Sequence, residues 1–391
     1  MICLETRHFN VNRILLLAVG LWPYQRSRVV ELQSILFLGI LITFIMFQFI
    51  TVLTSKCTPK HILEIISTTF YFICFVIKYN SFWINVDTIK SSLDRLQGVC
   101  KELRDEKEIA ILKKYGNKAK RYTTAIIHAI IGYYCTFTAM HIWTNIQYIG
   151  LPKNESRLNP SMYVATEYFI DQKKYFYLIT LHELATIYIG AVSMMATGTM
   201  LIAYLQHICG MFGIASYRIE QAINILQKDI LKSEDMVYKE ITYAVDIHRK
   251  AMEFTDFLMS NFEGSFFFLI AIGVTCLSLN LFRLASYSDE IDKLFIPFTI
   301  INMLYVYLFL ANHTAQEITD HNEYVFATVY NVQWYTAPLH IQKIILFLLQ
   351  RGTKPFYINL GGIFVVSLES AAMLMSTSIS YFTVLYSTRE N

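Results

Sequence analysis

Between residues 358 and 387 an otherwise apolar run carries Glu369, Ser376, Ser380, Thr383 and Ser387, at steps of seven, four, three and four. At about 3.6 residues per turn these steps stack on one helical face. Val384 stands beside that face, four residues after Ser380 and three before Ser387. A wall of water-accessible hydroxyls ending in an aliphatic constriction is what a gated conduit requires, since a narrow apolar ring closes by dewetting. Fifteen residues separate Glu369 from Val384, roughly 22 Å at about 1.5 Å per residue, so the acid and the constriction belong near opposite membrane faces. The same hydroxyls would equally suit bonds back to the preceding turn or close helix packing. Glu369 favours the conduit, because an intramembrane carboxylate is costly and faces a cavity or a partner; in a structural role Lys354 or Arg351 would pair with it.

Other chemistry-bearing residues are sparser. His182 and Glu183 are adjacent, so they point to different helix faces, and no third ligand accompanies them; packing accounts for them. Lys78 and Arg283 lie near span ends, from which long cationic side chains reach the interface. The seven cysteines are scattered without a metal or redox spacing. There is no glycine-rich phosphate loop, nucleophile elbow or metal cluster, so the chain is read as neither an enzyme nor a cofactor protein. A net charge of +3 gives no reason to expect nucleic acid.

The elements that must position the stripe follow from composition. With 54% hydrophobic and 16% charged residues, the chain is more apolar than soluble domains at about 45–50% and about 25%. Membrane lipid is therefore its surrounding, and the fold class is an all-α polytopic membrane protein forming one domain over 1–391. Windows of the roughly 20 apolar residues a span needs occur near 32–54, 62–86, 123–148, 176–207, 264–286, 293–312 and 358–387. Placing the N-terminus inside gives 23 Lys and Arg to the inner segments and 8 to the outer ones, which satisfies the positive-inside rule and leaves the C-terminus outside. Asn154-Glu155-Ser156 then supplies an outer glycosylation sequon, with Asn154 as acceptor, whereas Asn312-His313-Thr314 falls on the inner side. Apolar residues at helical spacing through 215–262 extend the helices inward as cytoplasmic projections. Pro338 opens an amphipathic helix over 338–350, too short to span and suited to an inter-subunit anchor.

Tyr330, Trp334, Tyr335, Lys354-Pro355, Gly361-Gly362, Leu368 and the closing Ser380-Tyr381-Phe382-Thr383-Val384-Leu385 resemble the C-terminal signature of insect odorant receptors. His248 through Phe254, Phe262 and Gly20-Leu21-Trp22-Pro23 extend the resemblance, which covers essentially the whole chain. It implies a ligand-gated, non-selective cation channel, assembled as a heterotetramer with a shared co-receptor in the plasma membrane of olfactory sensory neuron dendrites. It also implies that the last helix lines the pore, with the gate on Val384 and a second constriction at Thr388. The co-receptor carries Leu there after Gln, so Ser387 and Thr388 mark this chain as a tuning subunit, as does the missing inner-loop insertion. Glu369 matches an acidic position of the family.

The family binds a small apolar odorant between helices two, three, four and six. Here those helices offer Tyr71 and Phe72; Thr136, Met140 and Trp143; Met194 and Met195; and Tyr305 and Tyr307. Flexible methionines and broad aromatics suit a ligand held by dispersion. The competing reading is a metabotropic, G-protein-coupled seven-helix chemoreceptor. It requires an outside N-terminus, and the chain lacks Asp-Arg-Tyr after span three and Asn-Pro-x-x-Tyr in span seven. A transporter would need a charged or broken-helix midplane site.

Overall fold

The computed structural model describes residues 9–54, 58–103, 105–150, 164–172, 174–228, 234–286, 291–362 and 364–390. Among the described residues ten α-helices follow one another: α1 (Asn10–Ala18), α2 (Arg28–Thr54), α3 (Pro59–Ile84), α4 (Val86–Glu102), α5 (Glu106–Gly150), α6 (Phe176–Lys228), α7 (Glu234–Ser286), α8 (Ile291–Asn331), α9 (Leu339–Gly352) and α10 (Leu368–Glu390). A hairpin of β1 (Asn359–Leu360) and β2 (Phe364–Val365) precedes α10. The all-α class is therefore observed. Among the described residues five helices, α2, α3, α6, α7 and α8, are long and apolar enough to cross a membrane. The hydroxyls of α10 keep that helix below this apolarity.

The seventh span departs from its expected bounds. Residues 358–362 and 364–367 are not helical, because Gly361 and Gly362 adopt φ of +64° and +70°, a left-handed conformation that glycine adopts without steric cost. They turn the chain into the hairpin, in which Asn359 pairs with Val365 and Leu360 with Phe364. Ser367 then opens α10, its Oγ accepting from the Ser370 amide at 3.1 Å. The short amphipathic helix is present as α9, with Ile341, Ile345 and Leu348 on its buried face.

Helix α6 is the axis of the molecule. Every residue from Leu201 to Phe212 is buried, as befits a helix that is apolar all round and must be encircled. It packs against α3, α5, α7 and α8. Gly190 permits the approach to α3, since a Cβ there would overlap the Phe75 ring. Beyond the expected span, α6 continues to Lys228, and α7 begins at Glu234, so both helices extend well past their membrane-spanning stretches. Charged groups tie them together. Arg218 Nε donates to Glu108 Oε1 at 2.6 Å and its Nη1 to the Tyr243 carbonyl at 3.0 Å, joining α6 to α5 and α7. Glu317 of α8 accepts from Lys118 of α5 and Gln206 of α6.

Two cations do not reach the interface as expected. Arg283 is 2% exposed: its guanidinium donates to Ser67 Oγ at 2.8 Å and Glu64 Oε1 at 3.0 Å, clamping α7 to α3. Lys78 is 1% exposed. Both lie on the inward faces of their helices, and an inward stem cannot reach headgroups.

Candidate functional site

A cavity of about 510 Å³ opens between α3, α5, α6, α7 and α8, within the size range of small-molecule sites. Its wall is almost wholly apolar. Of the residues the sequence suggested, Tyr71 of α3, Met194 and Met195 of α6 and Tyr307 of α8 line it. Three others do not. Phe72 is turned about 100° from Tyr71 along α3 and packs on Phe44 of α2, ring centres 4.8 Å apart. Thr136 is exposed and donates to the carbonyls of its own helix. Tyr305 lies two residues from Tyr307, on nearly the opposite face, and stacks outside on Phe309. The side chains of Met140 and Trp143, and the whole of Asn154, lie outside the described residues. The second sequon is unavailable: Asn312 is a buried residue of α8 whose Nδ2 donates to the Leu308 carbonyl at 2.9 Å.

Sequence reasoning missed several wall residues. Phe75 follows Tyr71 by four, and Tyr133 precedes Thr136 by one turn; helical spacing would have found both. Tyr133 and Tyr134 of α5 add further aromatic surface to the wall. No local signal marked α7, which adds Phe266, Gly273 and Leu277, nor the hairpin and α10, which add Leu360, Phe364, Leu374 and Ser378.

Helix α10 thus has two faces. Ala371, Leu374 and Ser378 are buried against the body of the chain, where α10 meets α7 and α8. Glu369, Ser376, Ser380, Thr383, Val384, Ser387 and Thr388 are all exposed on this single chain, Val384 at 59%. Each stripe hydroxyl from Ser380 onward donates to its own backbone: Ser380 to the Ser376 carbonyl at 2.9 Å, Thr383 to Ser380 at 2.8 Å, and Ser387 to Val384 at 3.0 Å. Among the described residues neither Arg351 nor Lys354 forms an ion pair with Glu369; Arg351 instead donates to the Lys354 carbonyl.

Of the His182-Glu183 pair, His182 holds structure. His182 Nδ1 lies 2.7 Å from the Tyr168 hydroxyl, and its Nε2 is 3.2 Å from both Thr43 Oγ1 and the Ile40 carbonyl. Tyr168 also stacks on Phe47, ring centres 4.2 Å apart, so the segment before α6 is fastened across α2. Among the described residues no group of His, Cys, Asp and Glu could hold a metal ion.

A family model described as 7tm Odorant receptor matches residues 58–379. Odorant receptors 22a and 22b of Drosophila melanogaster are each 20% identical over 170 and 173 residues, 43% of this chain and 42% of theirs. The chain thus spans less than half the length of the curated relatives it matches. The fold is similar to that of the insect olfactory receptor OR5 from Machilis hrabei in complex with eugenol: TM-score 0.80, 17% identity, and 97% of each chain covered. A second structure of OR5 from Machilis hrabei gives a TM-score of 0.74 at 18% identity, covering 96% of this chain and 97% of that one.

Proposed function

Since the chain belongs to the odorant receptor family, we propose that it is the odorant-binding subunit of a ligand-gated, non-selective cation channel. In this reading it joins a co-receptor in a heterotetramer, with seven spans, an inner N-terminus and an outer C-terminus. The plasma membrane of olfactory sensory neuron dendrites is the expected location, as for the family resemblance. Family membership makes it a multi-pass receptor for odorants rather than an enzyme.

One observation carries the channel reading. The cavity wall includes Leu374 and Ser378 of α10, while the opposite face of that helix bears the exposed stripe from Glu369 to Ser387 with Val384 beside it. A ligand filling the cavity therefore presses on the back of the helix whose front would line a pore. Tyr71, Met194, Met195 and Tyr307 supply broad, deformable apolar surface, which suits a small apolar ligand held by dispersion. Eugenol, the ligand of the OR5 complex, has that character. Gating then requires that the ligand bind the open arrangement more tightly than the closed one, since equal affinity shifts nothing. Thr388 would add a second constriction one turn beyond Val384.

The test is whole-cell recording from cells expressing the chain with its co-receptor, under blockade of G-protein signalling. Odour-evoked currents that persist support a directly gated channel. Currents abolished by the blockade reject it and favour the metabotropic reading.

A further inference from the structure

We infer that the cavity is built for apolar ligands ending in a carboxylate, with Lys78 as the group that receives the acid. This rests on the odorant-binding reading and narrows it to a ligand class.

Lys78, buried on α3 seven residues after Tyr71 and three after Phe75, is not itself a wall residue of the cavity but stands beside two that are. Its ammonium lies 5.0 Å from the ring centres of both Phe266 and Tyr307. Both rings are part of the cavity wall. Among the described residues no carboxylate pairs with Lys78, whereas the chain's other deeply buried cations, Arg283 and Arg218, each have a glutamate. A charged group buried within membrane helices is costly and marks a functional site by default. Two aromatic faces offset part of that cost, but they leave three N–H donors without a strong acceptor. The missing partner is an anion, and the space beside Phe266 and Tyr307 is the apolar cavity. An alkyl or aryl carboxylate would fill that space with its apolar body. Its head would meet the ammonium at the Phe266 end, reached by rotation of the four-carbon lysine stem. Esters and alcohols of the same length would bury the same area without the charge-assisted bond.

The experiment uses the purified full-length chain in nanodiscs at neutral pH, with tritiated decanoate and tritiated methyl decanoate as probes. Decanoate is expected to bind about tenfold to a hundredfold more tightly than the ester, the range that one hydrogen bond to a charged group commands. Lys78→Met should abolish the difference while leaving ester binding in place, and Lys78→Arg should keep much of it. Equal binding of the two probes by the native chain, or no binding of decanoate, overturns the inference, and so does a preference retained in Lys78→Met. If Lys78→Met fails to fold, the native preference and its retention in Lys78→Arg decide. Competition by unlabelled octanoate rather than oleate assigns the acid to a volatile source, and the reverse assigns it to the bilayer; displacement by neither counts against the site. Because binding is read without current, the ligand class can fail while the channel stands, and the channel can fail while the ligand class stands.

Discussion

At the residue scale the gate and the cavity make separate demands. If Val384 closes a pore by dewetting, a smaller or polar side chain lowers the barrier to water. Val384→Ala and, more strongly, Val384→Ser should raise ligand-free current in cells carrying the co-receptor, while surface expression is unchanged. Tyr307→Ala removes wall area at the cavity and should shift the odorant dose–response by about tenfold, or about 1.4 kcal/mol; Tyr305→Ala, on the outer face, should not. Tyr305 and Tyr307 also show why the wall was only partly legible. Composition marks both as pocket material, but which of two nearly opposite helix faces turns inward depends on the neighbours, and sequence does not name those. Lys78 and Arg283 were misread for the same reason. Their distance from the span ends allowed them to reach headgroups, and only the packing of α3 and α7 shows that both stems point inward.

At the element scale the helices were legible nearly to their ends, because long apolar runs and helical spacing are strong signals. The exception is instructive. Ile358 to Ser367 is as apolar as a span, and hydropathy alone absorbed it into the last helix, although Gly361-Gly362 stood in the middle as a turn signal. Gly361→Val should cost about 1–2 kcal/mol for the left-handed backbone, since the atom nearest an added Cβ, Glu263 Oε1 at 2.9 Å, is the end of a flexible side chain that can move aside. Thermal melting of the solubilised protein would register it. Arg283→Met leaves the partly exposed Glu64 with only His61 beside it, 3.5 Å away. Breaking a buried pair costs about 3–5 kcal/mol, whereas replacing both members is often neutral. The folded yield should therefore fall in the single variant and recover in Arg283→Met/Glu64→Met; equal loss in both would reject the clamp.

At the scale of the whole molecule, orientation rests on the distribution of Lys and Arg, a signal spread over many loops and independent of any one site. A C-terminal epitope tag should stain on unpermeabilised cells, and staining only after permeabilisation would reverse the topology. The helical projections below the spans carry their own pH dependence. His248 sits between Phe212 and Phe326, ring centres 5.4 and 5.3 Å away. Burial holds its pKa below the ordinary imidazole value; the contact with Asn322 opposes this and Arg351 adds to it. The unfolded chain therefore takes up the proton first. Stability is constant above the unfolded imidazole pKa of about 6.5 and declines as pH falls below it. Melting temperature should drop on acidification toward about pH 5, and His248→Gln should flatten part of that slope.

The hydroxyls of α10 have a consequence for which ions would pass. From Ser380 onward their protons are held by carbonyls one turn back, so that part of the stripe turns only oxygen lone pairs outward. Such a surface can replace part of the water around sodium, potassium or calcium, but it offers a chloride ion no donor. Sign discrimination would then need no fixed charge at the narrowest point. With nothing of defined radius to match, it would sort ions by sign and hardly by species. Exchanging external chloride for gluconate should leave the reversal potential of the odour-evoked current in place, while replacing sodium with N-methyl-D-glucamine should move it strongly negative.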